Sequence, residues 1–298
     1  MTLAHPRPID YLAMLGLGAL WGGNFLLIKI AVATIPAATF AVLRLVIAGV
    51  VVTAMAIRAG ERLWFPRDKW LPIAATSLTG NALPFLLIGW GQQRVDAGIA
   101  AIGMGVMPLS AIMLAHVATH DEKLSLGKVL GVTFGLAGLI VLIGPEALTG
   151  FGREALGELA ILAGAFCYGV NALLTRSLSR EPLMALAAVI LLLSALMDLP
   201  MAILLDSPLQ LRPSIASILA VIALGAVPTG IGTVWMFSLI KRLGVSFFSQ
   251  INFIVPVFGV IWGATLLGEK PPFTAFAALT LILAGVAIAR QAHSRGKV

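Results

Sequence analysis

The chain has 298 residues, of which 59% are hydrophobic and 11% are charged, and its formal net charge is +7. Soluble domains carry about 25% charged residues, so this composition excludes an ordinary water-soluble globular protein and predicts an integral membrane protein. The single cysteine, Cys167, excludes an internal disulfide and a cysteine-based metal site. No stretch outside the apolar segments combines clustered cations with stacking aromatics, so nucleic acid is not an expected partner.

Taken in chain order, apolar runs bounded by charged residues, prolines and glycines predict ten membrane-spanning helices. A span needs about 20 apolar residues, and it must be helical because lipid offers no partner for open backbone groups. The predicted spans are 11–33, 36–57, 70–91, 97–118, 126–144, 156–175, 183–205, 215–239, 245–267 and 273–290. The predicted fold class is therefore an all-α integral membrane protein with ten transmembrane helices.

Lysine and arginine are unevenly distributed between the two sides of these spans. Five lie on one side, at Lys29, Arg94, Arg153, Arg212 and Lys270, while Arg44 lies within a span and the other 14 lie on the side of the two termini. Because cations concentrate in cytoplasmic loops, both termini are predicted to be cytoplasmic, which requires an even number of spans. The expected location is a bacterial inner (plasma) membrane.

The two halves of the chain repeat one pattern. At offsets of 147 or 148 residues, Trp21 corresponds to Tyr168, Asn24 to Asn171, Pro108 to Pro256 and Glu122 to Glu269. We predict two five-helix repeats, residues 1–147 and 148–298. Five is an odd number, so the repeats enter the membrane with opposite orientation, an arrangement that places the substrate site between them near the midplane.

Four prolines lie within predicted spans three, four, eight and nine, at Pro84, Pro108, Pro228 and Pro256. Proline removes a backbone donor and displaces the carbonyl four residues earlier, so it bends or breaks a helix. Membrane helices tolerate single prolines, but four at comparable depth favour helices that line a cavity. We predict that these prolines are the kinks of a gate.

Polar and aromatic side chains on the spans predict a substrate site. The predicted substrate-binding residues are Trp21, Asn24, Lys29, Asn81, Tyr168, Asn171, Trp235, Gln250 and Asn252. Aromatic walls with a few polar groups suit a small organic solute, and Lys29 is expected to contact an anionic group of that solute. For each polar residue the alternative is an ordinary hydrogen bond between helices, worth about 0.6 kcal/mol.

Motifs for catalysis, metal binding and ATP hydrolysis are missing from the sequence. His116 and His120 have helical i, i+4 spacing, but the glutamate of the metalloprotease motif is absent, because Val117 follows His116. The sequence has no glycine-rich phosphate loop that ends in Lys-Ser or Lys-Thr, and no nucleophile, base and orienting group can be assembled. We therefore expect no enzymatic activity, no catalytic residue, no metal site and no cofactor.

These features together resemble the drug/metabolite transporter superfamily and, within it, the EamA-type transporters. The resemblance is carried by Trp21-Gly22-Gly23-Asn24, by Arg44, Pro108 and Glu122-Lys123, and by their echoes at Pro256 and Glu269-Lys270. It implies a ten-helix bundle around a central cavity that works by alternating access. Members of this kind are commonly bacterial inner-membrane exporters of amino acids, aromatic ones among them, and of related metabolites.

The resulting expectation is a secondary transporter that exports amino acids or related small metabolites. The alternative is a multidrug or toxic-cation efflux transporter, which should carry an acidic residue in its cavity, and Glu158 and Asp198 are the acidic residues considered for that role. The expected partners are a small-molecule substrate and the lipid bilayer, and the expected oligomeric state is a monomer or a homodimer. Glycines spaced by four on the fifth span, Gly131 among them, predict close packing of an outer scaffold helix.

Overall fold

The computed structural model describes residues 7–118, 126–143, 153–179 and 181–295, and within these ranges all regular structure is helical. The α-helices are α1 (Pro8–Ala31), α2 (Ala37–Arg58), α3 (Trp70–Ser77), α4 (Leu83–Gln92), α5 (Ala97–Met104), α6 (Met107–Ala118), α7 (Leu126–Ile143), α8 (Arg153–Leu174), α9 (Leu183–Met201), α10 (Ile215–Leu224), α11 (Gly232–Phe248), α12 (Ile251–Leu266) and α13 (Phe273–Arg295). Three π-helical turns span Leu78–Ala82, Ala202–Asp206 and Gly225–Ile231. His120, Glu122 and Lys123 lie outside the described residues.

Seven segments of the described chain are long and apolar enough to cross a membrane: Pro8–Ala31, Ala37–Arg58, Arg67–Gln92, Ala97–Val117, Glu154–Leu174, Leu183–Asp206 and Ile215–Gly244. Three shorter apolar helices are Leu126–Leu142, Ile251–Leu266 and Phe273–Ala289. The all-helical membrane class predicted from composition is therefore confirmed. The count of ten spans in two inverted repeats stays a prediction.

The fourth and eighth predicted spans differ from the observed helices. The fourth span consists of α5 and α6, because Gly105 and Val106 separate them and Pro108 is the second residue of the new helix. The eighth span continues past its predicted end at 239 as far as Gly244, where the backbone leaves the helical conformation and a separate short helical turn follows. The φ of Gly244 is +85°, a value that glycine adopts without strain, so the turn is accommodated within the segment.

Prolines mark two of the π-helical turns. The first turn, Leu78–Ala82, ends two residues before Pro84, and the turn Gly225–Ile231 contains Pro228. Proline has no backbone N–H to donate within the helix. The wider turn tolerates this missing hydrogen bond, because a π-bulge inserts an extra residue into the helical ladder. Pro256, in contrast, lies inside α12 without interrupting it. The first residues of these two turns are 147 positions apart, which is the offset of the sequence repeat.

The helices pack in pairs that relate the two halves of the chain. Helix α1 packs against α12, and α8, its counterpart by the repeat, packs against α6. Helix α2 packs against α9 and against the turn Gly225–Ile231, and α9 packs against the turn Leu78–Ala82. Helices α7 and α13 pack closely against each other, since a Cβ at Gly131 would lie 2.5 Å from the carbonyl oxygen of Gly285. The predicted glycine packing of the fifth span is confirmed at this position.

Carboxylates from one helix end satisfy the amides that begin another helix. Pro36 and Pro182 precede α2 and α9 and provide no side-chain cap. Instead, Asp206 accepts from the amide of Thr39 at 2.7 Å, and Glu61 accepts from the amide of Ala185 at 2.7 Å. The end of α2 therefore caps α9, and the turn that follows α9 caps α2. Such caps stabilise a helix by about 0.5–2 kcal/mol each.

Candidate substrate site

The predicted substrate-binding residues lie at three levels along α1. Trp235, Gln250 and Asn252 belong to segments that pack on the first half of α1, Trp21 and Asn24 lie in its second half, and Lys29 lies in its last turn. Asn81 lies in the turn Leu78–Ala82, and Tyr168 and Asn171 lie on α8. The set therefore lines the length of the bundle and does not form a single cluster.

Asn24 and Asn171 share an unusual environment. The Oδ1 atom of each side chain is sealed from solvent and has no hydrogen-bond partner. The amide of Asn171 lies against the backbone of Gly80, where an added Cβ would be 2.7 Å from Nδ2, so glycine is required to make room for it. A buried polar atom without a partner costs about 1–3 kcal/mol, so two matched asparagines in this state need a role that compensates the cost.

Trp21 reaches across the bundle to the proline-containing turn of the second half. Its Nε1 donates to the carbonyl oxygen of Pro228 at 3.1 Å, and its ring meets Phe248 edge-on at 5.9 Å between centroids. Trp235 packs in the apolar cluster formed with Met14 and Leu17 of α1. Both indoles therefore lie where α1 meets α11.

Gln250 and Asn252 flank the start of α12. Gln250 is the residue that precedes this helix, and the Nδ2 atom of Asn252 donates to the carbonyl oxygen of Ser249 at 3.2 Å. The Asn252 amide therefore serves the local turn in this conformation. Ile251, between them, is buried in the cluster with Met14 and Leu17, at a different level from Asn24.

Lys29 lies apart from the asparagines and faces a separate cavity. Its Nζ donates to the carbonyl oxygen of Val95 at 2.7 Å and lies 3.8 Å from the carboxylate of Asp96. The cavity measures about 300 Å³ and is lined by Lys29, Val32, Ala33, Gln92 and Gln93. This volume lies at the lower end of the range for small-molecule pockets.

Two buried residues were not among the predicted site residues. Gln92 is fully buried, and its Nε2 donates to the carbonyl oxygen of Phe25 at 2.9 Å while its Oε1 has no partner. Arg44 lies toward one end of an apolar span, and a long cationic side chain there could extend to the membrane–water interface. Only 5% of its surface is exposed, so the side chain is turned into the protein. Besides its part in the family resemblance, the sequence signal for Arg44 is a cation inside an apolar span, which is a functional indication by default.

Arg44 is held by groups from two other helical segments. Its Nε donates to Thr229 Oγ1 at 2.9 Å, and its Cζ lies 3.7 Å from the centre of the Phe85 ring. Tyr168 packs against the apolar cluster that contains Phe85. The arrangement joins α2, α4 and the turn Gly225–Ile231 around one buried cation.

Acidic residues within the spans occupy different environments. Asp198 on α9 has 4% of its surface exposed, and its Oδ2 has no hydrogen-bond partner. Glu158 on α8 lines a small cavity of about 10 Å³, together with apolar residues such as Ile161. That volume is enough for about one water molecule. Within the described residues no group of three or more His, Cys, Asp or Glu side chains is placed to hold a metal ion.

Comparison with known proteins identifies the class of the molecule. An EamA-like transporter family model matches residues 9–144 and again residues 155–291. The chain therefore belongs to the EamA-like transporter family, and it is a membrane transporter whose substrates are small molecules. The family resemblance read from the sequence is confirmed.

Individual relatives and a solved structure agree with this assignment. The chain is 27% identical to a probable terminal-alkyne amino-acid exporter of Streptantibioticus cattleyicolor, over 89% of this chain and 88% of that protein. It is 25% identical to an S-adenosylmethionine/S-adenosylhomocysteine transporter of Chlamydia trachomatis, over 94% and 88% of the two chains. A solved crystal structure matches with a TM-score of 0.67 and 24% identity, over 95% of this chain and 99% of the other, which shows a shared fold.

Proposed function

We propose that the chain is a secondary transporter that exports amino acids or related small metabolites across the bacterial inner membrane by alternating access. Ten spans form two inverted five-helix repeats, residues 1–147 and 148–298, around a central cavity, and both termini are cytoplasmic. The relative that is a probable exporter of a modified amino acid supports this substrate class. Alternating access follows from the architecture, because inverted repeats can exchange roles on the two sides of the membrane.

The observation that carries this proposal is the matched pair Asn24 and Asn171. Each lies 147 residues from the other and presents a buried amide oxygen without a partner. The helices that bear them pack in equivalent ways, α1 against α12 and α8 against α6. The donors that these acceptors lack are of the kind that an amino-acid ammonium group carries, which supports an amino acid as the substrate.

The other predicted residues complete the route. Trp21, Tyr168 and Trp235 supply aromatic walls, Asn81, Gln250 and Asn252 supply further hydrogen-bonding groups, and Lys29 guides anionic groups at the ~300 Å³ cavity. Pro84, Pro108 and Pro228, where the helical ladder changes or restarts, permit bending between the halves, together with Pro256.

A reconstituted system tests the proposal directly. Proteoliposomes loaded with a panel of labelled L-amino acids should release at least one of them faster than protein-free liposomes. Asn24→Ala and Asn171→Ala should each slow that release by about tenfold, as expected from losing one hydrogen bond to a charged group. Thr280→Ala, at an exposed position on α13, is the matched control and should behave as the parent. The proposal fails if no amino acid is released, and the site assignment fails if both asparagine variants transport normally.

A multidrug or toxic-cation efflux transporter remains the second candidate because Asp198 is buried with an unpartnered carboxylate oxygen. A buried acidic group inside a membrane is a potential counter-ion for a lipophilic cation. This alternative predicts that cells expressing the protein survive a lipophilic cation such as tetraphenylphosphonium and that Asp198→Asn abolishes the protection. The amino-acid proposal predicts no protection, with amino-acid efflux retained in Asp198→Asn.

A further inference from the structure

Arg44 is a buried cation without a buried anion. Its surface is 95% covered, and within the described part of the chain no carboxylate lies within 4 Å of its guanidinium. Asp198, which is also buried, forms no ion pair with it. Removing an unpaired charge from water costs several kcal/mol even after relaxation, so a charge held in this way needs an anion that the protein does not supply.

The guanidinium is fixed in orientation, with one edge left free. Thr229 Oγ1 accepts a hydrogen bond from Nε at 2.9 Å. The Phe85 ring covers one face of the guanidinium, with Cζ 3.7 Å from the centre of the ring. Within the described residues the two Nη atoms donate to no acceptor. The donors that remain are therefore those of the Nη1–Nη2 edge, which presents two parallel N–H groups in one plane.

This edge matches a carboxylate in geometry and charge. A guanidinium binds a carboxylate through two parallel N–H···O bonds, which gives orientation as well as affinity. Stacking on Phe85 and the bond to Thr229 preorganise the fork, so less rotamer entropy is lost when the anion binds. Tyr168, which packs against the apolar cluster that contains Phe85, adds a second aromatic ring to the neighbourhood.

We propose that Arg44 is the carboxylate-binding residue of the substrate site, with Thr229 and Phe85 as the residues that position it. This inference rests on the proposed function, since it names the group by which an amino acid or a related carboxylic acid is held. Arg44 joins α2 to α4 and to the turn Gly225–Ile231, so a bound carboxylate contacts the meeting point of both halves. Neutral solutes of the same shape are then excluded, because they leave the buried charge unpaired.

The test uses simple carboxylates as probes and does not depend on knowing the substrate. Thermal unfolding of the purified full chain is followed with acetate and benzoate, with their neutral amides acetamide and benzamide, and with phosphate or chloride at matched ionic strength. The carboxylates should raise the unfolding temperature, and the amides and chloride should not. Arg44→Gln should weaken benzoate binding by at least about tenfold, as expected from losing hydrogen bonds to a charged group. Arg58→Gln, at the exposed end of the same helix, is the matched control and should bind benzoate as the parent does.

Several outcomes overturn the inference. In the parent protein, these are equal changes in unfolding temperature with benzoate and benzamide, a larger change with phosphate than with either carboxylate, or no change with any carboxylate. Unchanged benzoate binding in Arg44→Gln overturns it as well. Where Arg44→Gln fails to fold, Arg44→Lys and Thr229→Val decide, because the first keeps the charge without the fork and the second leaves Nε unheld. Unchanged benzoate affinity in both variants contradicts the inference.

Amino-acid efflux measured on the same preparation separates this inference from the proposed function. Carboxylate binding that depends on Arg44, without efflux of any amino acid, refutes the transport proposal and leaves the binding site standing. Efflux that is insensitive to Arg44→Lys, Arg44→Gln and Thr229→Val refutes the binding site and leaves the transport proposal standing.

Discussion

Glu269 joins the loop after α12 to the beginning of α5, and its replacement is a sharp test of the helix packing. Its Oε1 accepts from the amide of Ala97 at 2.7 Å, and its Oε2 accepts from the amide of Gly98 at 2.9 Å. The first four amides of a helix have no acceptor within that helix, and Asp96 provides no side-chain cap. Glu269→Ala therefore leaves two amides at a helix start without an acceptor from the protein.

The magnitude follows from the two hydrogen bonds and the charge. Replacement of a capping residue by alanine costs about 0.5–2 kcal/mol, and loss of an anion at a helix N-terminus adds about 0.3–1 kcal/mol. Glu269 is partly exposed, so we expect a total of about 1–2 kcal/mol, which corresponds to roughly a 5- to 30-fold increase in local opening. Glu269→Gln keeps one acceptor oxygen and should give an intermediate effect.

Amide hydrogen exchange reports this opening residue by residue. The amides of Ala97 and Gly98 should exchange faster in Glu269→Ala by the factor given above, while the amide of Ala100, which bonds to the carbonyl oxygen of Asp96, should change less. Glu61→Ala is the matched control, because it removes the equivalent cap from Ala185 and should leave Ala97 unchanged. Equal exchange at Ala97 and Gly98 in Glu269→Ala and in the parent would refute the reasoning.

Three further predictions follow from single contacts. Gly131→Leu should lower the unfolding temperature by several degrees, because a side chain there meets the Gly285 carbonyl oxygen and overpacking costs about 1–3 kcal/mol. The control is Val129→Leu, on an exposed face of α7, which should leave the unfolding temperature unchanged. Trp21→Phe should lower the free energy of unfolding by about 1 kcal/mol, because the donor to the carbonyl oxygen of Pro228 is lost. Chemical or thermal unfolding measures the change, and Trp64→Phe is the control because Trp64 is 75% exposed. Ser194→Ala should lower the free energy of unfolding by a similar amount, about 1 kcal/mol, because it removes a buried hydroxyl that lies 2.7 Å from the carbonyl oxygen of Ile190 and 2.9 Å from that of Ser77 and donates its one proton between them.

Much of the fold was predictable because its signals are local. Apolar runs of span length and the residues that interrupt them place the helices within a few residues, as at α2, predicted at 36–57 and observed at Ala37–Arg58. The end of the eighth span, predicted at 239 and observed at Gly244, was placed less exactly. It depends on a backbone turn that glycine permits and does not by itself require.

The candidate site was predictable only in part, because most of its contacts join residues far apart in the sequence. The repeat singled out Asn24 and Asn171, whose amide oxygens are indeed buried and unpartnered. The repeat did not indicate Arg44, because the corresponding position in the second half, near Ile190, is not basic. Lys29 was expected to contact an anionic group of the solute, and this stays a prediction; its Nζ binds the carbonyl oxygen of Val95 and the side chain lines a cavity of its own.

The sequence by itself determined that this protein is a helical membrane protein, placed most of its helices within a few residues, and pointed to Asn24 and Asn171, which lie 147 residues apart. Hydrophobicity, helix-breaking residues and internal repetition are properties of neighbouring residues or of the chain compared with itself, so they need no knowledge of packing. Only the tertiary structure decided which polar groups meet. The bond from Arg44 to Thr229 joins residues 185 positions apart, and the bond from Trp21 to Pro228 joins residues 207 positions apart. Contacts at such separations depend on how the helices rotate and cross when they pack, and local sequence does not specify that geometry.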